Sequence, residues 1–356
     1  MSKGILHQLL VGAAPGDAIT DQALAIRRWL RSLAFQSEIF AESIHPAVQD
    51  EVRSSLSLGH IPAATHLIYH YSIGSGTIDQ ALSLPQRLII IYHNITPPRF
   101  LQGADPLLAT RLADGRKRLP ELVSKTDLAL GDSQYNCSEL VAAGFKNTGV
   151  LPIVLDSASI AMPPAADVLS QYSDGAINML CVGRIVPNKR QEDAVKVLYF
   201  LRSAGVRARL ILVGSNWLPA YRQWLDDFIE SLNLVNDVVF AGHVSQAVLN
   251  AHYQVATVYL SLSEHEGFCK PIAEAMYFGL PVIAFKIEAV AETLGGAGIL
   301  VTKKDFAAIA ELVHLVAEDS RLRATLIQRG RQRADDFSEA KVKESLCRYL
   351  CELGLC

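Results

Sequence analysis

Nowhere in the 356-residue chain do apolar residues run for the roughly 18 to 20 positions that a bilayer-spanning helix needs, although half of the residues are hydrophobic. No transmembrane anchor is therefore predicted. The chain also lacks an excess of one charge: the net charge is −3 and charged residues make up 19% of the sequence, so it has no basic field suited to nucleic acid. Six cysteines are scattered without a CxxC pair, and a long chain in a reducing compartment has little need of disulfides, so all six are expected to be thiols. Cys347 and Cys351 lie one helical turn apart, but no histidine is close in sequence and no metal is expected. A P-loop is missing too: Gly12 and Gly16 are three residues apart and Asp17 follows, with no lysine.

The opening MSKGILHQLLVGAAPGD passes from an apolar run into a Gly/Pro turn and reads as a first strand, not a signal peptide, which places the protein in the cytoplasm. Short β-rich runs then alternate with amphipathic helical patterns. Strands are expected over 7–13, 37–42, 65–72, 87–94, 127–133 and 149–154, with helices over 21–34 and 116–125. The Ser-, Pro-, Ala- and Asp-rich stretch 156–176 reads as a junction. Strands resume over 177–185, 209–215, 238–244, 255–263, 280–286 and 298–301, separated by helices such as 192–205 and 220–233, and the tail from Asp305 is mostly helical. This alternation predicts two α/β domains with parallel sheets, covering 1–160 and 161–335, with a C-terminal helix over 336–356 that either caps the second domain or crosses back to the first. Parallel sheets bind ligands beyond the carboxyl ends of their strands, so functional residues are expected just after strands, beside a cleft between the two domains.

Several strand ends carry candidates. In GAAPGDAIT (12–20), Gly16 can bring backbone amides to a phosphate, or the segment is only a turn with Asp17 or Thr20 capping a helix. IYHNITPP (91–98) leaves His93 at a strand end, where it is either a donor to a phosphate or sugar hydroxyl or a satisfied core histidine. VGRIVPNKRQED (182–193) sets Arg184 and Lys189 five residues apart, with Arg190 adding charge. Cations near a helix start oppose its dipole, and that misfit favours an anionic ligand such as a diphosphate. The small residues around Gly214 and Ser215, and those near Val244, would let a planar ring approach the backbone.

SEHEGFCKPIAEAMYFGLPVIAF (263–285) places Glu266 before a helix expected to begin near Pro271 or Ile272, and Glu274 inside its first turn or so. The N–H groups of Phe268, Cys269 and Lys270 at such a helix start can serve an anion or a hydroxyl. The competing reading is that both acids only favour the positive end of the helix dipole.

Glu266-GFCKPIA-Glu274-AMYFGLPVIA, together with Gly183, Arg184 and Lys189 in a G-R-x-x-x-x-K pattern, the strand-end His93 and the Gly-rich first loop, resembles the retaining GT-B glycosyltransferases of family 4. The resemblance covers nearly the whole chain and implies a GT-B fold: two Rossmann-like domains facing a central cleft. It implies a nucleotide-sugar donor carrying UDP or GDP, with Arg184 and Lys189 on the diphosphate and Glu274 on the ribose. Glu266 would bind a donor-sugar hydroxyl, and His93 would lie near the reacting centre. Gly16 would approach the phosphates, the base would rest near Gly214, Ser215 and Val244, and Gly267, Phe268, Cys269 and Lys270 would lie along the donor. Cys269 and Lys270 depart from the commoner EGFGLP wording.

Charge supplies the implied mechanism. Cleavage of the anomeric bond leaves negative charge on the diphosphate, which fixed cations stabilise, so neither a metal nor another cofactor is expected. The acceptor would be a glycan, a lipid-linked species or a small molecule, attacked with retention. The alternatives are another GT-B enzyme, such as a phosphorylase or sugar-nucleotide epimerase, or a non-catalytic nucleotide-sugar-binding subunit. Arg111, Arg116, Lys117 and Arg118 suggest peripheral contact with an anionic membrane, set against a solvated helix face.

Overall fold

The computed structural model describes residues 4–60 and 65–355. The chain divides into two compact units: one comprises the described residues up to Gln102, Pro106–Asp156 and those from Phe337 onward; the other comprises Gly103–Asp105 and Ser157–Asp336.

The first unit is built on a parallel sheet of eight strands among the described residues: β1 (Gly4–Ala13), β2 (Phe35–Gln36), β3 (Ile39–Ile44), β4 (Arg53–Ser54), β5 (His66–Tyr71), β6 (Arg87–Tyr92), β7 (Thr126–Gly131) and β8 (Thr148–Val150). Their order is β4-β3-β1-β5-β6-β7-β8, with β2 also beside β1. The central strands are nearly continuous in Leu and Ile because both faces are covered; Leu9, Leu10 and Ile89 to Ile91 are fully buried. One core cluster joins Leu6, Ile26, Trp29, Ile89 and Leu130 to Val342, Leu346 and Leu350 of the last helix, Glu339–Glu352. That helix thus packs in the first unit. Trp29 also donates its indole N–H to Glu339, at 2.6 Å, and Tyr349 donates its hydroxyl to the Val150 carbonyl, at 3.2 Å.

The second sheet holds six strands among the described residues: β9 (Ile177–Val182), β10 (Ala208–Val213), β11 (Val238–Gly242), β12 (Val258–Ser261), β13 (Val282–Phe285) and β14 (Ile299–Val301). Their order, β11-β10-β9-β12-β13-β14, is the doubly wound order in which the chain reverses direction across the sheet between β9 and β12. Loops leaving those two strands lie at the topological switch point, and they are the GRIVPNK and EHEGFCKP segments.

Some boundaries differ from the sequence expectation. The helix placed over 116–125 instead spans Pro106–Arg118, and tighter turns run over Leu119–Lys125, where Pro120 has no N–H to continue an α-helical ladder. The strand placed over 149–154 is only Thr148–Val150, followed by Pro152. The junction contains two short helices, Ser157–Ile160 and Ala166–Gln171. Buried Asn250 ties this segment down by donating its side-chain amide to the carbonyls of Ser159, Ile160 and Met162 at 2.9–3.1 Å. Cys351 is disulfide-bonded, which corrects the expectation of six thiols; Cys137, Cys181, Cys269 and Cys347 are thiols.

The packing of the last helix has a measurable cost. Leu346→Ala is expected to lower stability by about 2–5 kcal/mol in urea denaturation because it opens a cavity in the first unit's core. Leu315, 48% exposed, is the control: its replacement by Ala should change stability by no more than about 0.5 kcal/mol.

Candidate functional site

In the second unit, two loops separated by 77 residues meet at the switch point. Lys189 Nζ donates to both carboxylate oxygens of Glu266, at 2.7 and 2.8 Å. Burial pulls the Lys189 ammonium toward neutrality, but the charge and hydrogen bonds of Glu266 outweigh it and raise its pKa. The backbone repeats the connection: Glu264 N–H donates to the Asn188 carbonyl at 2.9 Å, and the Asn188 side chain donates to the His265 carbonyl at 3.3 Å. Gly183, Lys189, Ser261, Ser263 and Glu266 line a small cavity between the loops.

Behind this pair lies a second layer of charge. Fully buried Asp193 accepts from Lys196 at 2.9 Å, Lys304 at 2.8 Å and Arg190 at 3.3 Å. Burial alone would raise its pKa, but the hydrogen bonds of Lys304 and Lys196 prevail and hold it below the usual carboxylate range. Lys304 also reaches Glu264 at 2.8 Å, and Arg190 pairs with Glu192 and Glu264. Arg190, counted in the sequence among the ligand-binding cations, is thus held by protein carboxylates.

Arg184 differs from its neighbours. It is exposed, and its guanidinium makes no hydrogen bond or ion pair among the described residues. It stacks on the indole of Trp217, 4.3 Å from the ring centroid. The loops here approach through glycine: a Cβ on Gly214, where φ is +148°, would lie 2.0 Å from the Gly183 carbonyl oxygen. Ser215 accepts from the Ile185 N–H at 3.0 Å, and Gly214 donates to Gly242 at 2.8 Å, which ties the loop after β10 to the loops after β9 and β11. Val244 lies two residues beyond β11 and is half-buried.

The helix after Glu266 runs from Lys270 to Tyr277, with Cys269 as its N-cap in left-handed backbone geometry (φ 71°, ψ 63°). Arg190 takes the same geometry before the helix Gln191–Ser203. Left-handed backbone at a non-glycine residue costs about 1–3 kcal/mol, and two of the five such residues among the described ones, Arg190 and Cys269, fall in the two motif loops. Glu274 is the fifth residue of its helix, beyond the first turn predicted for it. Its carboxylate is buried, accepting the Tyr253 hydroxyl at 2.7 Å and lying 3.6 Å from Lys270. Tyr253 is in turn stacked on Phe278, with centroids 5.1 Å apart. Gly267 and Phe268 complete the loop, and the Phe268 carbonyl accepts from Thr293 at 2.5 Å.

The first unit holds Gly16 and His93 at the carboxyl ends of β1 and β6. Gly16 has φ +71°, and the turn is capped as the bland reading expected, with Asp17 accepting from Thr20 N–H at 3.0 Å. The contacts of His93 are those of the satisfied core histidine, one of the two readings its strand-end position left open. Its side chain is 2% exposed, with Nδ1 3.0 Å from Asp132 and Nε2 2.9 Å from His70 Nδ1. His70 Nε2 meets Gln8 Oε1 at 2.9 Å, and Gln8 donates its amide to the Ala23 carbonyl. These contacts fix the direction of each bond. Gln8 Oε1 must accept, so His70 carries its proton on Nε2; burial strongly favours neutral His70, so its Nδ1 accepts from His93 Nε2–H. One proton is then shared between His93 Nδ1 and Asp132, whose pKa is raised by burial against the opposing pull of His93.

The basic stretch proposed for membrane contact is largely engaged. Arg116 pairs with Glu139 at 2.6 Å, Arg118 with Asp79 and Glu121, and Arg111 donates to the Gly74 carbonyl. Among the described residues no helix is long and apolar enough to cross a membrane, and no cluster of three or more His, Cys, Asp or Glu side chains could hold a metal. Sequence reading missed Trp217, Tyr253, Asp193, Lys304 and the Gln8–His70–Asp132 partners of His93. Only Trp217, two residues beyond the flagged Ser215, and Asp132, at the end of β7, had a strand-end position that could have pointed to them.

Two outcomes follow from these contacts. Gly214→Ala should weaken folding or block it, seen as a lower thermal midpoint, because its methyl would collide with backbone. The histidines set the acid response. His70, His7 and His252 all have pKa values lowered by burial, so below about pH 6.5 the unfolded chain binds protons that the folded chain refuses. Stability contributed by neutral histidine is present above that pH and is lost as pH falls through the unfolded value. For His70 the loss is up to about 1.4 kcal/mol per pH unit. Thermal midpoints should therefore fall from pH 7 to 5.5, and a flat profile would contradict the buried, neutral assignment.

Residues 171–333 match the family described as "Glycosyl transferases group 1". The chain is 30% identical over 168 residues to the capsular polysaccharide biosynthesis glycosyltransferase CapM of Staphylococcus aureus, covering 46% of this chain and 43% of that one. It is 29% identical over 163 residues to the O-antigen chain mannosyltransferase B of Escherichia coli, covering 45% and 42%. A GDP-mannose-dependent alpha-mannosyltransferase of Mycobacterium tuberculosis is 26% identical over 64% of this chain and 56% of that one. The matched region spans less than half the length of the first two relatives. Residues 171–333 are thus similar to the group 1 glycosyl transferases. Among solved structures, Anabaena Alr3699/HepE in complex with UDP and glucose has a TM-score of 0.79 at 18% identity, covering 98% of this chain and 99% of that one. WaaG, a glycosyltransferase involved in lipopolysaccharide biosynthesis, has a TM-score of 0.73 at 12% identity, covering 96% and 98%. At these identities the likeness is one of fold, and the fold is GT-B.

Proposed function

We propose that the protein is a retaining family 4 glycosyltransferase that moves a hexose from a UDP- or GDP-linked donor to an acceptor hydroxyl, in cell-surface polysaccharide or glycoconjugate biosynthesis. The observation that carries this reading is the meeting of Lys189 and Glu266 at the switch point of the second sheet, with the exposed Arg184, stacked on Trp217, on the same loop as Lys189. The relatives add support: their names include capsular polysaccharide, O-antigen and GDP-mannose-dependent enzymes.

In this proposal Arg184 binds the diphosphate through its in-plane N–H groups, and Lys189 adds a second positive charge beside it. Their charge stabilises the diphosphate as the anomeric bond breaks, and a leaving phosphate oxygen accepts the proton of the attacking acceptor hydroxyl. Glu274, oriented by Tyr253 and Lys270, binds the ribose hydroxyls. Glu266, fixed by Lys189, binds a hydroxyl of the donor sugar, with the backbone of Gly267, Phe268, Cys269 and Lys270 alongside. Gly214, Ser215 and Val244 receive the base, and Gly16 approaches the phosphates. Since both ring nitrogens of His93 are occupied, its part is to hold the strand-end loop of the first unit in place through Asp132 and His70. The acceptor is a glycan, a lipid-linked species or a small molecule, and the reaction is placed in the cytoplasm, at the inner membrane face where the acceptor is lipid-linked.

A thermal-shift panel of UDP, GDP, ADP, TDP and their sugars tests the donor assignment, because a ligand that binds only the folded state raises its midpoint. UDP or GDP should raise it, and no shift with any of the panel would remove the reading. Glu274→Ala should abolish most of the nucleotide shift; an unchanged shift would remove the ribose assignment. Glu266→Gln should reduce sugar transfer by at least about tenfold while leaving binding of the bare diphosphate within about threefold, since a lost charged hydrogen bond costs roughly 1.5–3 kcal/mol.

A further inference from the structure

We infer that Trp217 is a positioning residue for Arg184: its indole is a shelf that holds the guanidinium ready for the oxygens of a nucleoside diphosphate. The inference rests on the donor reading above and adds to it a residue outside the motifs. Arg184 is the exposed residue of its loop, and an exposed arginine side chain samples many rotamers whose entropy is lost when a ligand fixes it. Every other cation on that loop is held by carboxylates: Lys189 by Glu266, and Arg190 by Glu192, Asp193 and Glu264. Among the described residues Arg184 has only the indole, 4.3 Å from its guanidinium carbon. This partner suits a ligand-binding cation. Stacking engages the flat face of the guanidinium, whereas its five N–H donors lie in the plane and remain directed outward. A carboxylate would have occupied those in-plane donors.

The shelf is itself fixed. Ser215 accepts from the Ile185 N–H, so the loop carrying the indole and the loop carrying Arg184 are joined by a backbone hydrogen bond. On the far side, Asn216 accepts from Arg222 at 3.2 Å, and Arg222 lies over the Phe240 ring at 3.4 Å. Leu218, next in sequence, is buried. Trp217 itself is 44% exposed. Its exposure means that truncation leaves no core cavity.

The test is a double-mutant cycle read by calorimetric titration with UDP and GDP, their monophosphates, and uridine and guanosine. Trp217→Ala should weaken diphosphate binding about three- to tenfold, the range of a cation–π contact from exposed to partly desolvated, and leave nucleoside binding unchanged. Trp217→Phe, which retains an aromatic face, should remain within about twofold of the parent. In an Arg184→Ala background, Trp217→Ala should cost nothing further. Full additivity of the two substitutions overturns the inference, as does equal loss for diphosphate and nucleoside, which would make the indole a platform for the base. If Trp217→Ala proves unstable, Trp217→Phe and Trp217→Leu decide alone: equal diphosphate affinity in the two contradicts the shelf. Failure of the donor reading has a different signature, since the unsubstituted protein would then bind none of the nucleotides.

Discussion

The second unit depends on one ion pair. Lys189 and Glu266 are far apart in sequence, and without their bidentate contact the loops after β9 and β12 would each carry a buried or half-buried charge with no partner. Removing one member of such a pair costs far more than the net worth of the pair, because the survivor must remain desolvated. The surrounding Asp193, Lys196, Lys304, Glu264 and Arg190 are best understood as the frame that keeps this contact in register. Lys304, after β14, reaches both Asp193 of the helix Gln191–Ser203 and Glu264 of the loop after β12, and Arg190 of the loop after β9 reaches Asp193 and Glu264 as well. The strained backbone at Arg190 and Cys269 belongs to the same frame, since it turns the chain sharply into two helices whose first residues adjoin the pair.

A fixed pair also explains why one cation in the loop is left outside it. A site that must bind and release a polyanion needs charge that is close but not neutralised, and the sequence meets this by giving Arg184 an aromatic neighbour in place of an acid. The rigid part, Lys189 with Glu266, and the adaptable part, Arg184 with Trp217, adjoin through the Gly183–Gly214 contact, where only glycine lets the backbones approach. Tyr253 performs a similar service for Glu274, orienting a carboxylate oxygen without opposing its charge.

How much of this was legible in the sequence follows from the range of the interactions. Strand alternation is local, so the parallel sheets and the αβ alternation could be read from GILHQLLVGA, RLIIIY and INMLCV. The motif residues were legible because strand ends are where such sheets put their chemistry. Partners were not, because they come from elements distant in the chain and carry no local signature: Tyr253 is a single tyrosine on the amphipathic helix Gln246–Val255, and Lys304 is an ordinary loop lysine. His93 shows the limit most clearly. Its position at the end of β6 left a ligand donor and a satisfied core histidine equally open, and what decides between them comes from elsewhere: His70 of β5 and Asp132 just after β7 meet its two ring nitrogens, with Gln8 of β1 behind His70. The boundary errors at Leu119–Lys125 and Thr148–Val150 have a simpler cause, since Pro120 and Pro152 each withdraw a donor from patterns that otherwise looked regular.

The last helix completes the core that the first strands begin, while the residues of the second unit lie between them in the chain. On a ribosome this imposes an order. All of Ser157–Asp336 is synthesised before Val342, Leu346 and Leu350 emerge, so the second unit has its full sequence while the first still exposes the apolar groove those side chains will fill. The nascent first unit is therefore the exposed partner during synthesis, the part on which a chaperone would act. Truncation within the last helix should harm the unit that is made first, not the one beside it in sequence.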